Sequence, residues 1–318
     1  MTEITQAFVL GAGLGTRLRP LTDDLPKPLV PIFQKPLITF ALDHLIDLRI
    51  EKFFINTHHR PERFTKAFPN SKYRDRQIQF FHEPELLETA GGIANISDSL
   101  GDGPLLVYNG DILTDLPLPA LIDNHCREKK MVTLALRSGR GPKHIAFDPA
   151  THRVTDISNA LGSGASHDFV FTGIYIVERA FVDLLERGVK RSVIPHFLEV
   201  IRREKLGGVV INEGNWWDVG TRESYLQLHR DLQELEFPSF PVDDRNWKAR
   251  VHETAAVDAN AELRGCSVVG RDCEVSSGAT LEDTILWPGA KIASHTWLQN
   301  CIVRSHRKVA GVHRNIDI

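Results

Sequence analysis

The chain has 318 residues, 42% of them hydrophobic, enough for one large or two moderate domains around a sizeable core. A formal net charge of −3 offers no broad basic surface for nucleic acid or anionic lipid, and no apolar run approaches the length of a membrane span. Met1 to Gln6 is polar, the apolar run after it is too short for a secretory leader, and the four cysteines, Cys126, Cys266, Cys273 and Cys301, sit at spacings unlike zinc sites, so the expectation is a cytoplasmic protein with free thiols.

From the N-terminus, Ala7-Phe8-Val9-Leu10 reads as a short buried strand. It runs into Gly11-Ala12-Gly13-Leu14-Gly15-Thr16-Arg17, a turn whose glycines let the backbone take φ > 0 and come close to a ligand. The N–H groups of such a turn form a concave donor site for phosphate. The spacing departs from the dinucleotide fingerprint Gly-x-Gly-x-x-Gly, and no Gly-Lys-Ser/Thr ending marks a P-loop. Farther on, Pro26 and Pro28 flank Lys27; they fix φ on either side and keep the segment out of helix, so the ammonium is displayed on a rigid loop. Two cations, Arg17 and Lys27, beside a phosphate cradle suit a nucleoside triphosphate. A solvated lysine after an ordinary strand-to-helix turn is the other reading of the same residues.

Ile38 to Leu48 has helical spacing, and Phe53-Phe54-Ile55-Asn56, Ile78-Gln79-Phe80-Phe81, Leu105-Leu106-Val107-Tyr108 and Met131 to Leu136 read as strands. Alternation of this kind, up to residue 235, predicts a mostly parallel sheet covered by helices. Ligands of such sheets collect at the carboxyl ends of the strands, where the glycine turn and Asn109-Gly110-Asp111 both fall. Asp111 reads either as a ligand for a hard cation or as the cap of a turn. Asp218, in Trp216-Trp217-Asp218-Val219-Gly220-Thr221, has apolar neighbours on both sides, so its charge needs a metal, a cation or a hydrogen-bonded turn. Glu88-Thr89-Ala90-Gly91-Gly92, just after His82-Glu83-Pro84, reads as a ligand loop or as a helix start capped by Thr89. Gly173, inside Phe169 to Ile176, marks a bulge or a close approach of a ligand.

Residues 236–248 form a break rich in Pro and Asp. Beyond it, Val251, Val257, Leu263, Val269, Val275 and Leu281 fall six residues apart, and Ala255, Ala261, Ser267, Cys273 and Ala279 follow in a fixed phase. One aliphatic and one small inward position per hexapeptide is the pattern of a left-handed β-helix. The phase slips near Trp287-Pro288-Gly289 and resumes at Ile292 and Leu298, with Thr296 and Ile302. So short a stack has open ends that the chain's first domain or a partner should cover.

Leu10 to Leu29 resembles the signature of the sugar-1-phosphate nucleotidyltransferases, the nucleotide-sugar pyrophosphorylases: small residues and glycines, then Gly-Thr-Arg-Leu-x-Pro-Leu-Thr, then Pro-Lys-Pro-Leu. Gly11 and Ala12 stand where the family alternates small residues. The likeness runs to about residue 230 and more loosely to the end of the chain. It implies an α/β fold with a Rossmann-like, mostly parallel sheet over residues 1–235, a linker over 236–248 and a short C-terminal left-handed β-helix over 249–318. It implies a reaction joining a nucleoside triphosphate to a sugar 1-phosphate, with release of pyrophosphate. By resemblance, Arg17 and Lys27 are the catalytic cations and Asp111 and Asp218 hold Mg²⁺ or Mn²⁺. The nucleotide would meet Leu10, Gly11, Ala12, Gly13, Gly15, Thr16, Glu83, Glu88, Thr89, Gly91, Asn109 and Gly110; the sugar phosphate would meet Thr172 and Gly173.

Two departures bear on the substrate. Glu88 replaces the glycine of the family's Leu-Gly-Thr, and a similar Leu-Glu-Thr-x-Gly-Gly-Ile occurs in uridylyltransferases acting on N-acetylmuramate 1-phosphate. The hexapeptide tail points instead to the mannose-1-phosphate guanylyltransferases. Many members also carry a Glu-Lys-Pro whose lysine holds the sugar phosphate; here Asp156-Ile157-Ser158-Asn159 stands in that region, leaving Lys143, His144 or Arg153 as replacements. A hexapeptide-repeat acyltransferase and a non-catalytic regulatory subunit are the competing classes. The filled cation and carboxylate positions favour an active enzyme. The expected partners are the two substrates and further copies of the chain through the β-helix, with neither nucleic acid nor membrane.

Overall fold

The computed structural model describes residues 4–139 and 141–318. In chain order its first part contains β1 (Gln6–Leu10), β2 (Pro31–Ile32), β3 (Lys35–Pro36), α1 (Leu37–Asp47), β4 (Lys52–Thr57), α2 (Pro61–Ala67), β5 (Lys72–Tyr73), β6 (Arg76–His82), α3 (Glu88–Asn95), β7 (Leu105–Asn109) and β8 (Ile112–Thr114). There follow α4 (Pro119–Glu128), β9 (Val132–Arg137), β10 (Ile145–Asp148), β11 (Arg153–Ile157), β12 (Val170–Val177), α5 (Arg179–Val182), α6 (Ile194–Arg202), β13 (Leu206–Val210), β14 (Trp216–Asp218) and α7 (Arg222–Glu234). Among the described residues no helix is long and apolar enough to cross a membrane.

Ala7, Phe8 and Val9 are buried on both faces of β1, as a central parallel strand under two helical layers requires. The main sheet has ten strands in the order β10-β11-β13-β9-β12-β7-β1-β4-β6-β5. β1 runs parallel to β4 and β7, and β6 parallel to β4. β12 runs antiparallel between β7 and β9, so the sheet is mixed in its second half. Register decides where the site falls. Leu10 at the end of β1 pairs with Asn109 at the end of β7, setting the glycine turn beside Asn109-Gly110-Asp111. A separate ribbon pairs β14 antiparallel with β8, Asp218 opposite Ile112, which brings Asp218 next to Asp111 across about a hundred residues of chain.

The C-terminal part is a left-handed β-helix of short parallel strands. Val257 stacks on Val275 and then Ile292 and Val309; Leu263 stacks on Leu281 and then Leu298; Val269 stacks on Leu286 and then Val303. The phase slips earlier than the repeat pattern predicts. Leu281 and Leu286 are the inward residues of successive strands and lie five positions apart, so Val303 takes the inward place and Ile302 packs outward against the first domain. Ser267, Cys273, Ala279, Thr284, Ala290, Thr296 and Cys301 are buried at the corners, where only small side chains fit inside the coil.

Residues 236–248 are not a free tether. Phe237, Phe240 and Trp247 are buried; Trp247 packs edge-on to Phe40 of α1, and Phe240 stacks on His44 with ring centroids 4.4 Å apart. One hydrophobic cluster spans the two parts of the chain, joining Leu18, Leu21, Phe40, Tyr225 and Leu228 to Val268, Ile285, Trp287 and Ile302. Trp287 Nε1 donates to Tyr225 Oη at 3.0 Å, Arg222 of α7 pairs with Asp317 at 2.7 Å, and Gln34 Nε2 donates to the Ala249 and Val269 carbonyls at 2.8 and 3.1 Å. One face of the β-helix is thus covered by the chain's own first domain.

Candidate active site

Two adjoining cavities open at the carboxyl ends of β1 and β7, with Arg17, Asn109 and Asp111 in the wall of both. The first, about 290 Å³, is lined by Leu10, Gly11, Ala12, Gly13, Gly15, Thr16, Lys27 and Thr89. A Cβ added to Gly13 would meet no protein atom within 4 Å. Nothing in the fold excludes a side chain there, so the bare backbone keeps room for a ligand. The second cavity, about 610 Å³, is lined by His144, Phe171, Thr172, Gly173, Trp216, Trp217 and Asp218. Gly173 sits in a β-bulge with φ 85°, and its missing Cβ would fall 2.7 Å from Asn109 Nδ2. The glycine is therefore set by the close approach of β12 to Asn109.

At the floor between the cavities, Lys27 Nζ lies 2.6 Å from Asp111 Oδ2 and 3.6 Å from Asp218 Oδ1. The lysine side chain is 8% exposed, the carboxylates 38% and 45%. Arg17 is two-thirds exposed and 3.8 Å from Asp218 Oδ2, its guanidinium lying about 3.0 Å from where a Gly220 Cβ would be. Asp218 therefore meets cations, which resolves the cost of a charge among apolar neighbours. Among the described residues no three His, Cys, Asp or Glu side chains gather as a metal cluster. Two half-exposed carboxylates on an open cleft still suit a hard cation such as Mg²⁺, which retains waters rather than needing an all-protein cage.

Several expected contact residues line neither cavity. Glu83 is fully buried; its Oε1 accepts from Asn56 Nδ2 at 2.7 Å and its Oε2 from the Leu87 backbone N–H at 2.9 Å. Burial pushes its carboxyl up, and the hydrogen bonds from Leu87 and Asn56 oppose that shift. Asn56 Oδ1 in turn accepts from the backbone N–H groups of Gly11 and Ala12, at 2.8 and 3.2 Å. Glu83 thus orients the glycine turn through Asn56, a residue the sequence offered only as the end of a strand. Gly91 packs α3 against Val189, where a Cβ would fall 2.4 Å from the carbonyl, and Gly110 packs against the Leu10 carbonyl. Glu88 is exposed and adopts φ 60°, the left-handed conformation that explains a glycine at the corresponding family position. The Thr172 hydroxyl donates to the Ala135 carbonyl at 2.9 Å, so its proton is not turned to the cavity that Thr172 helps to line.

Of the three candidates for the missing sugar-phosphate cation, only His144 lines the second cavity. Its Nδ1 donates to the Pro142 carbonyl at 2.7 Å, leaving Nε2 without a protein partner among the described residues. Lys143 is exposed and outside both walls. Arg153, on β11, pairs with Glu204 at 2.8 Å. His144 has no motif around it; its place follows from the β10 entry beside Phe169, which no local pattern announces.

Residues 6–234 match the family model described as Nucleotidyl transferase. The chain is 31% identical over 297 residues to a mannose-1-phosphate guanylyltransferase of Mycobacterium tuberculosis, covering 92% of this chain and 82% of that protein. It is 27% identical to the catalytic subunit beta of mannose-1-phosphate guanylyltransferase from Drosophila melanogaster, covering 94% and 83%. It is also 25% identical to a UTP–glucose-1-phosphate uridylyltransferase of Synechocystis, covering 90% and 85%.

Proposed function

Because the chain belongs to the nucleotidyl transferase family and is a sugar-1-phosphate nucleotidyltransferase, we propose that it transfers a guanylyl group from GTP to mannose 1-phosphate. The observation that carries the reading is the Lys27 ammonium held between Asp111 and Asp218 under the glycine turn, where two phosphate-bearing substrates would meet. In the proposed reaction an oxygen of the sugar phosphate attacks the α-phosphorus in line, a new P–O bond forms, and the bond to pyrophosphate breaks. The attacking oxygen is already ionised, so no general base is needed. The glycine turn positions the triphosphate, Lys27 offsets charge developing near the α-phosphate, and Arg17 stabilises the leaving pyrophosphate. Asp111 and Asp218 would hold a divalent cation, which supplies further neutralisation of the phosphates. His144 Nε2 is assigned to the sugar phosphate. The β-helix, with Val312 and Ile316 exposed on its last coil, is assigned to self-association.

A pyrophosphate-release screen of GTP, UTP, ATP and CTP against sugar 1-phosphates, with and without EDTA, tests the proposal. GTP with mannose 1-phosphate should be the best pair, and chelation should abolish release. Preference for UTP with an amino-sugar 1-phosphate would instead favour the uridylyl reading that Glu88 suggests. Turnover undiminished by EDTA would remove the cation, and light scattering that shows a monomer at every concentration would remove self-association.

A further inference from the structure

A third cavity, about 240 Å³, lies outside the catalytic cleft at the seam between the segment that follows Arg17 and the β-helix. Asp24, Arg63, Trp287, Arg304, His306 and Arg307 are in its wall. Arg304 is held by the backbone, donating to the Pro20 carbonyl at 3.1 Å and to the Ile318 oxygen at 3.3 Å. In the cavity wall the carboxylate facing these cations is Asp24; Asp317, paired with Arg222 at 2.7 Å, also lies in the field of Arg304. Arg304 lies 3.5 Å from Asp24, Arg307 3.9 Å, and Arg60, which is not in the wall, 3.9 Å. These distances are at the long end of ion pairing. Arg63 makes no such contact, and its Nε is shielded from solvent with no hydrogen-bond partner among the described residues.

Three guanidiniums, Arg63, Arg304 and Arg307, with one carboxylate in the same wall repel one another, and the repulsion grows as water is excluded. An anion relieves it, and the fork of an arginine matches a phosphate better than any other common anion except a carboxylate. The volume admits a phosphoryl group with a small substituent. We propose that this cavity is a second anion site, separate from catalysis, which takes a phosphate-bearing small molecule. Its occupant would bridge α2, the segment 20–25 and the turn at 304–307. The segment 20–25 follows Arg17 closely in the chain, so occupancy also braces the loop that carries that residue.

The test is calorimetric titration of the full-length protein with inorganic phosphate. Saturable binding should survive Lys27→Ala, which disables the catalytic cleft. It should weaken about tenfold or more in Arg63→Gln and in Arg307→Gln, as expected for loss of a charge-assisted contact. Asp24→Asn should shift it the other way, because the competing carboxylate is gone. Arg307 is half-exposed, so its substitution leaves the fold intact even if Arg63→Gln does not fold. Binding lost with Lys27→Ala assigns the phosphate to the catalytic cleft and overturns the proposal. Equal affinity in Arg307→Gln and Asp24→Asn, or no saturable binding in the wild type, overturns it as well.

Discussion

Lys27 is the residue on which the two carboxylates of the cleft converge. Lys27→Ala and Arg17→Ala are each expected to lower kcat by about two orders of magnitude, the scale of a lost transition-state contact. The two should differ in stability. Without Lys27, Asp111 loses its 2.6 Å cation partner and Asp218 keeps the exposed Arg17 at 3.8 Å, so that variant should melt lower; Arg17 is two-thirds exposed and its removal should leave the melt unchanged. Turnover near wild type in either variant would remove its assigned role. His144→Ala should raise KM for the sugar 1-phosphate about tenfold with KM for the nucleotide unchanged, and His144→Lys should recover most of it. A rise in the nucleotide KM instead would move His144 out of the sugar-phosphate subsite. Lys27 stands out in the sequence between two prolines, Asp111 after a buried strand, Asp218 among apolar neighbours and Arg17 at the end of the glycine turn, and the structure brings these four together. Asn56 does not stand out. Its role depends on the β1–β4 register, which pairs Val9 with Ile55 and so places the next residue under the glycine turn, and register is invisible along a single chain.

At the scale of elements, α7 shows how the first domain is tied together. Thr221 and Ser224 form a capping box at its start, which satisfies two of the otherwise orphaned N–H groups. Inside the helix, His229 Nδ1 donates to the Tyr225 carbonyl and Nε2 accepts from the Phe33 backbone N–H at 3.1 Å. The ring must be neutral to do both. Burial pushes its pKa down to about 4. The unfolded chain then binds the proton first, so stability falls as pH drops from about 6.5 towards 4, by about 3 kcal/mol for such a shift. Buried carboxyls with raised pKa, such as Glu83, act in the opposite sense, so the comparison should be made within a pair. Thermal melts of the wild type and His229→Gln at pH 7.5 and 5 should show a shallower pH dependence in the variant; parallel curves would mean that His229 titrates normally. The strands with strong aliphatic runs, such as β1, β7 and β12, were legible from sequence. β13 was not, because its Gly207-Gly208 weakens the pattern, and the two-strand ribbon of β8 and β14 was not, because each has only three residues. The hexapeptide period revealed the β-helix but placed its slip too late, since Ile285 and Trp287, both apolar, flank Leu286 on the sequence and only stacking selects the inward one.

For the molecule as a whole, the shared hydrophobic cluster matters most. Leu18 and Leu21 follow Arg17 directly and pack in the same core as Trp287 and Ile302. Deleting residues 249–318 uncovers that core, so the truncated protein should lose both its cooperative melt and its turnover, although every proposed catalytic residue precedes the cut. A soluble truncation that retained nucleotidyl transfer would show that the β-helix is dispensable to the cleft. The sequence hinted at two separate units because the break at 236–248 is rich in Pro and Asp; the burial of Phe237, Phe240 and Trp247 there depends on aromatic residues far away in the chain. The Arg304 contact to the Pro20 carbonyl spans 284 residues. On a ribosome adding about 5–20 residues per second, the loop that carries Arg17 waits on the order of tens of seconds for the segment that braces it. The glycine turn is thus synthesised long before the segment that braces it, and a nascent chain is expected to turn over substrate only after residues 304–307 have left the exit tunnel.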